Sequence, residues 1–130
     1  MRALHIGFAC SSERNADRFF RDLLGLTKQD LKTIPVSIVK PLFGLDTSLP
    51  AINYTGADLH AEVFISDIST VSSDRISHTC LEVGNAEELI ERAAASGFSV
   101  TRIPKGNGQI LFLDDLDGNR FEIKQVATGL

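Results

Sequence analysis

Two histidines and two glutamates carry the side-chain types that suit metal-dependent chemistry. His5 and Glu62 stand in apolar runs of the first half of the chain, and His78 and Glu122 stand in matching runs of the second half. Imidazole and carboxylate are suitable ligands for divalent transition metals. We therefore predict that His5, Glu62, His78 and Glu122 bind a metal such as Zn, Ni, Co or Mn.

Strand alternation supports this choice. Successive side chains of a strand point to opposite faces, so Glu62 and Glu122 are expected to face away from the apolar residues on either side of them. A desolvated carboxylate needs a counter-charge, hydrogen bonds or a metal. Two such glutamates, each matched with a histidine, point to one shared partner.

His60 is the alternative to Glu62, because it lies two residues earlier on the same face and a register error would exchange them. The match between Ala61-Glu62-Val63 and Phe121-Glu122-Ile123 favours Glu62.

An internal repeat supplies the elements that position these residues. Residues 4–10 are echoed by residues 77–83, and an amphipathic stretch follows each copy. Ser11 or Ser12 is expected to cap the first helix, which ends at Gly25. Asn85, followed by Glu88, caps the second helix, which ends at Gly97.

Short β-rich runs follow each helix and give each half a βαβββ order. The chain is therefore predicted to be one α+β domain over residues 1–130, with modules at 1–68 and 74–127. The expected strands are Val36–Val39, Ile52–Thr55 and Leu59–Ile65 in the first module, and Phe98–Ile103, Gln109–Leu113 and Arg120–Val126 in the second.

Three segments are interpreted as connections. The offset between matched residues falls from 69 at Thr33 and Arg102 to 60 at Glu62 and Glu122, so the first half holds about nine extra residues. We place this insertion at 40–49 and expect a lid or interface loop there, because proline and glycine interrupt it. Residues 114–119 and 105–108 are expected to form tight turns, the first with Gly118 at positive φ.

Composition limits the possible partners. The 130 residues carry a net charge of −4 without blocks of like charge, which argues against nucleic acid. No apolar run is long enough to span a membrane and no signal peptide is evident, so a cytoplasmic protein is expected. Cys10 and Cys80 lack neighbouring cysteines, and Cys80 is interpreted as a packing residue.

Several motifs resemble the vicinal oxygen chelate superfamily, the glyoxalase, bleomycin-resistance and dioxygenase group. They are the opening His5-Ile6-Gly7, the helix end at residues 19–26 and the closing segment at residues 115–123. The resemblance covers nearly the whole chain. It implies two βαβββ modules in an incurved eight-stranded mixed sheet around a metal cavity, in a homodimer that binds a small-molecule substrate.

The four proposed ligands fall where glyoxalase I carries its metal ligands. Methylmalonyl-CoA epimerases, which the chain also resembles, typically have glutamine at the position of Glu62. Extradiol dioxygenases and fosfomycin-modifying thiol transferases of this superfamily use three protein ligands for the metal. Ala9 replaces the arginine that glyoxalase I usually carries for the glutathione carboxylate. Arg120 with Lys124, or Arg102 with Lys105, are alternative sites for an anionic substrate.

The resemblance implies a metal-dependent lyase or isomerase that acts on a small α-oxygenated carbonyl compound or its thiol conjugate. Proton abstraction would give an enediolate that the metal stabilises, with Glu62 or Glu122 as the catalytic base. The alternatives are an acyl-CoA epimerase and a metal-free protein that sequesters ligands, as bleomycin-resistance proteins do.

Overall fold

The computed structural model describes residues 1–67 and 76–127. The chain divides into two compact units, Met1–Thr70 and Val71–Leu130, and each is considered by itself. The module boundaries expected at residues 68 and 74 lie outside the described residues. Within the described ranges, no helix is long and apolar enough to cross a membrane.

The first unit contains a five-stranded mixed sheet in the order β1-β5-β4-β2, in which β3 also pairs with β4. The β1 and β5 strands run parallel, and the other pairs are antiparallel. Its elements are β1 (Ile6–Cys10), α1 (Glu13–Ala16, continued by a π-helical segment, Asp17–Leu23), β2 (Thr27–Lys28), β3 (Lys32–Ile34), α2 (Val36–Phe43), β4 (Leu49–Thr55) and β5 (His60–Ile65).

The first helix forms where the sequence predicts it. The Ser12 side chain accepts a hydrogen bond from the Asn15 N–H at 3.1 Å and caps the helix. The amide of Leu24 donates to the Phe19 carbonyl at 2.9 Å, a bond across five residues that is typical of a π-helix. Gly25 follows with φ 74°, a conformation that glycine adopts without strain.

The strand expected at Val36–Val39 is wrong, because this segment begins helix α2. Pro35 is extended at the N-cap, and Gly44 at φ 71° ends the helix. The short β2 and β3 strands pair with β4 in place of the expected strand. The loop expected at 40–49 is also wrong at both ends, since Lys40–Phe43 is helical and Leu49 begins β4.

The second unit contains a four-stranded sheet in the order β6-β9-β8-β7, with β6 and β9 parallel. The elements are β6 (Thr79–Val83), α3 (Ala86–Ala95), β7 (Ser99–Lys105), β8 (Gly108–Asp114) and β9 (Arg120–Gln125). Asn85 caps α3 by accepting a hydrogen bond from the Glu88 N–H at 3.1 Å, as predicted. The α+β class is confirmed, and this unit has the predicted βαβββ order. The first unit departs from that order because helix α2 is inserted before β4 and two short strands, β2 and β3, precede it. The strands of each unit are hydrogen-bonded as a separate sheet.

Both predicted turns of the second unit are present. Gly106, at φ 58°, lies in the tight connection between β7 and β8. Gly118, at φ 84°, lies in the connection between β8 and β9. There the buried Asp115 carboxylate accepts hydrogen bonds from the amides of Asp117 and Asn119. These bonds stabilise the turn that precedes the strand carrying Glu122.

The cores lie on the sheet faces that carry the helices. In the first unit Ala61 and Val63 are fully buried on either side of Glu62. In the second unit Phe121 and Ile123 are buried on either side of Glu122. Strand alternation therefore places both glutamates on the opposite face from the core, as predicted. The largest fully buried side chains are Tyr54, Phe19, Phe20, Phe121, Ile52, Ile90, Leu113, Val39, Val63 and Cys10.

Candidate metal-binding pairs

The first unit brings His5 and Glu62 together. His5 immediately precedes β1, which runs parallel to β5, the strand that carries Glu62. The His5 Nε2 atom lies 3.7 Å from Glu62 Oε1. Glu62 retains 18% of its side-chain exposure, whereas His5 retains 51%. The carboxylate is therefore mostly withdrawn from water while the imidazole remains accessible.

The second unit brings His78 and Glu122 together in the same way. His78 Nε2 lies 3.5 Å from Glu122 Oε1, and the glutamate side chain is 19% exposed. The His78 Nδ1 atom lies 3.0 Å from the Ile76 carbonyl oxygen, which can only accept a hydrogen bond. Nδ1 therefore carries the hydrogen, and in the neutral ring the Nε2 lone pair is directed toward Glu122. The ring of Phe112 packs edge-on against His78 at 5.6 Å.

The two pairs occupy equivalent positions in their sheets. Glu62 lies opposite Gly7 in the β1 to β5 register, and Glu122 lies opposite Cys80 in the β6 to β9 register. Each histidine stands two residues before the residue that faces its glutamate. The internal repeat seen in the sequence thus extends to the geometry of the two pairs.

The distances within each pair suit a metal ion. Both exceed the ~3.2 Å limit of an ordinary N–H···O hydrogen bond. Two ligand atoms at about 2.1 Å from one ion, separated by a tetrahedral angle, lie about 3.4 Å apart. The observed 3.7 and 3.5 Å are close to this value. The donor types and their spacing therefore fit a divalent transition metal.

Each glutamate also has a lysine near its second oxygen. Lys32 Nζ, on β3, lies 3.4 Å from Glu62 Oε2, and Lys124 Nζ, on β9, lies 3.8 Å from Glu122 Oε2. Lys124 was expected from the sequence as a cation flanking Glu122, whereas the approach of Lys32 to Glu62 was not expected. Both lysines offset the negative charge of the carboxylates in the metal-free protein.

His60, the alternative to Glu62, has a different partner. Its Nε2 atom donates a hydrogen bond to Asn53 Oδ1 at 2.7 Å. The His60 and His5 rings are neighbours, with centroids 5.8 Å apart. His60 therefore lies beside the first pair, with one ring nitrogen engaged by an amide on β4.

The two arginines considered as sites for an anionic substrate are each paired with a carboxylate. Arg120 forms a two-pronged ion pair with Asp114, at 3.0 and 3.2 Å. Arg102 pairs with Glu87 through both terminal nitrogens, and this contact raises the pKa of the guanidinium. These pairs are surface carboxylate contacts of the kind that contribute little to binding or stability.

The two cysteines differ in burial. Cys10 is buried in the core of the first unit, whereas Cys80 is exposed on β6. The interpretation of Cys80 as a packing residue is wrong, because its side chain is exposed.

A cavity of about 560 Å³ opens beside the first pair. His5 and Glu62 line one side, and Phe43 and Phe64 line another, with their rings in edge-on contact at 5.2 Å. Helix α2, which replaces the expected strand, contributes Leu42 and Phe43 to this cavity. Its apolar run was read as a strand because Val36, Ile38 and Val39 are β-branched.

Several solved structures share this fold. A glyoxalase family protein from Enterococcus faecalis is 19% identical, with a TM-score of 0.69 over 94% of this chain and 95% of its own. Glyoxalase I from Leishmania major, described as trypanothione-dependent, is 18% identical, with a TM-score of 0.64 over 96% and 86%.

The fosfomycin resistance protein FosX is a further structural neighbour. A mutant of FosX from Listeria monocytogenes, complexed with Mn(II) and a dihydroxypropylphosphonic acid, is 13% identical, with a TM-score of 0.70 over 94% of this chain and 87% of its own. At these identities the likeness concerns the fold alone.

Sequence comparison identifies the family. No curated protein matches the chain significantly. The family model of the Glyoxalase/Bleomycin resistance protein/Dioxygenase superfamily matches residues 2–123, a range that includes all four residues of the two pairs. The chain therefore belongs to the Glyoxalase/Bleomycin resistance protein/Dioxygenase superfamily.

Proposed function

We propose that this protein is a metal-dependent lyase or isomerase of glyoxalase type. Its substrate would be a small α-oxygenated carbonyl compound or a thiol conjugate of one. His5, Glu62, His78 and Glu122 would hold one divalent ion, Zn, Ni, Co or Mn. The observation that carries the proposal is the repetition of a histidine and glutamate pair at equivalent register positions, on the face opposite each core.

The chemistry of the donors supports a site for a cation between the members of each pair. With Nδ1 of His78 donating to the Ile76 carbonyl, a neutral His78 and an ionised Glu122 direct lone pairs at each other across 3.5 Å. That arrangement is favourable only with a proton or a cation between them. When bound, a divalent ion would polarise the vicinal oxygens of a carbonyl substrate and acidify the adjacent C–H.

The chain's own carboxylates would move the proton. Glu62 or Glu122 would accept it at a carboxylate oxygen and return it to the neighbouring carbon, or to the opposite face of the same carbon. Both side chains are about one-fifth exposed, so little water would compete for the proton. The same residues would serve isomerisation and epimerisation, so an acyl-CoA epimerase is the nearest alternative activity.

Two structural neighbours make a metal and an oxygen-rich substrate reasonable. One is named as a complex of FosX with Mn(II) and a dihydroxylated phosphonic acid, and another as glyoxalase I. Ala9 stands where an arginine for a glutathione carboxylate would be expected, which favours a substrate other than a glutathione conjugate. We propose a homodimer in the cytoplasm as the functional form, in which sheet edges are covered by the partner.

Metal content tests the proposal. The protein would be purified without chelator or immobilised metal and analysed for bound elements, together with Glu62→Gln and His60→Gln. Glu62→Gln removes a proposed ligand charge, whereas His60→Gln alters a neighbour two residues away that is bonded to Asn53. We expect near-stoichiometric metal in the wild type and in His60→Gln, and a loss of at least about tenfold in affinity in Glu62→Gln.

The outcomes separate the alternatives. Metal lost from His60→Gln and retained by Glu62→Gln would assign the ligand to His60. A wild-type protein that contains no metal and takes up none when it is added would refute the enzyme proposal and favour the ligand-sequestering alternative.

A further inference from the structure

The cavity beside His5 and Glu62 has a lining that the proposed chemistry does not use. Besides these two residues, its wall is formed mainly by apolar side chains of α2, of the segment that follows it and of two strands. The lining residues are His5, Gly7, Phe8, Ala9, Leu42, Phe43, Leu45, Leu49, Glu62, Phe64 and Ser66. At about 560 Å³, the cavity lies within the usual size range of small-molecule sites.

The inserted helix α2 builds the apolar wall. It lies in the first unit only, in the region where the two halves of the chain differ in length. Leu42 is 67% exposed and Phe43 is 48% exposed, although both are large apolar side chains at the end of this helix. Large exposed apolar groups around a concave surface are typical of a binding site.

Small residues keep the floor of the cavity open. Gly7 and Ala9 point from β1 to the same face as Glu62, by strand alternation. A Cβ atom added at Gly7 would lie 3.7 Å from the Phe64 ring, in ordinary contact. Gly7 and Ala9 both line the cavity, and neither has side-chain atoms beyond Cβ, so β1 itself fills little of it.

The charges of the lining indicate what kind of group fits. Among the described residues that line the cavity, none is lysine or arginine, and Glu62 is a carboxylate. Lys32 is the nearest cation to Glu62 that the structure shows, and it contacts the Glu62 carboxylate from outside the lining. An anionic group in this cavity would meet apolar surface and a like charge, which disfavours it.

We propose that this cavity is a specificity pocket for an uncharged apolar substituent, aromatic or branched aliphatic, with Phe43 as a specificity-determining residue. This inference rests on the proposed function, because the substituent would belong to the carbonyl substrate whose oxygens approach His5 and Glu62. The substrate class narrows to carbonyl compounds with an apolar group next to the reacting carbons. The edge-on contact of Phe43 with Phe64 orients the ring for stacking on such a group.

Binding of matched probes to the metal-free protein tests this pocket without any activity assay. Phenethyl alcohol and phenylacetate share a ring and chain length, and only the second is charged. Their dissociation constants would be measured by NMR titration of amide resonances in the presence of a chelator. We expect phenethyl alcohol to shift resonances of the lining residues and to bind about fivefold or more tightly than phenylacetate.

Three variants locate the binding. Phe43→Ala should weaken phenethyl alcohol by about fivefold, since it removes the aromatic contact. Ala9→Leu should weaken it at least as much, by filling the floor of the cavity. Ile38→Ala is the matched control, because Ile38 lies on the same helix, is also 48% exposed and does not line the cavity. It should leave the affinity unchanged, and circular dichroism should show all three variants folded.

Loss of phenethyl alcohol binding can be distinguished from loss of metal binding. Phe43→Ala should retain wild-type metal affinity, and His78→Ala should retain wild-type affinity for phenethyl alcohol. The inference is overturned if phenethyl alcohol does not bind, if phenylacetate binds equally well, or if Phe43→Ala and Ile38→Ala have the same effect. Each of these results can arise whether or not the protein binds a metal.

Discussion

The hydrogen bond from Tyr54 to Asp17 gives the clearest stability prediction. Tyr54 is fully buried on β4, and its hydroxyl donates to Asp17 Oδ1 at 2.7 Å. Lys28 donates to the other Asp17 oxygen at 2.9 Å and to Glu13 at 2.8 Å. The cluster ties the α1 helix to the sheet that carries Glu62. The substitution Tyr54→Phe removes only the hydroxyl and preserves the ring that stacks on Phe20 at 5.5 Å.

The expected loss in the free energy of unfolding follows from the charge of the acceptor, Asp17. A hydrogen bond to a charged group contributes about 1.5 to 3 kcal/mol, and Asp17 keeps its second oxygen paired with Lys28, so the lower end applies. We expect Tyr54→Phe to reduce the free energy of unfolding by about 1.5 kcal/mol. For a chain of 130 residues this corresponds to a fall of about 5 °C in the melting temperature.

The effect should depend on pH in a defined direction. Burial raises the pKa of Asp17, but hydrogen bonds from Tyr54 and Lys28 outweigh burial and hold the pKa below the ordinary value of 3.8. A carboxyl group with a lowered folded pKa stabilises the protein above its unfolded pKa and loses this contribution as pH falls through the folded pKa. The cost of Tyr54→Phe should therefore be largest above about pH 5 and smaller at about pH 3.

Urea denaturation at both pH values would measure the difference. Thr55→Val is the matched control, because it removes a hydroxyl from the next residue of the same strand, where the contact to Gln29 is exposed. The control should change stability by less than about 0.5 kcal/mol. The prediction is contradicted if Tyr54→Phe lowers the free energy of unfolding no more than Thr55→Val near pH 7, or if it lowers it equally at both pH values.

Three further predictions concern the candidate site and the elements that position it. Lys32→Met should increase divalent metal affinity about threefold in titration calorimetry, because Lys32 competes for the Glu62 carboxylate; an unchanged or weaker affinity would contradict this. Asn85→Ala should lower the free energy of unfolding in urea by about 1 kcal/mol, because it removes the cap that binds the Glu88 amide; no loss would show that the cap is dispensable. Gly118→Ala should lower the free energy of unfolding by about 1 kcal/mol, and with it the melting temperature, because alanine is strained at φ 84°. An unchanged melting temperature would contradict this expectation.

Local rules were enough to predict most of the fold. Ser12 and Asn85 are good helix caps by residue type, and both act as caps here. Strand alternation placed Glu62 and Glu122 on the face away from the core. These features depend on residues close in sequence, so they could be identified without knowledge of long-range contacts.

The errors came where tertiary context overrides local preference. The Val36–Val39 run favours a strand by composition, yet it forms a helix between Pro35 and Gly44. The spacing of Val39, Leu42 and Phe43 fits one helical face, which was the available signal.

Lys32 was missed for a different reason. Its approach to Glu62 depends on β3 pairing with β4, and β4 pairing with β5. Composition and propensity do not predict such a two-step register. The cavity beside His5 could not be foreseen either, since it depends on where α2 lies.

The number of metal ions bound per chain decides whether His5, Glu62, His78 and Glu122 form one site. Titration of the metal-free protein with Zn²⁺ or Mn²⁺ should give one tight site per chain. His5→Ala and His78→Ala should each abolish this site, and His60→Gln should leave it unchanged as the control. Failure of the wild-type protein to bind either ion would contradict the proposed metal site. Two independent sites, each removed only by the variant of its own pair, would contradict the proposal that all four residues hold one ion.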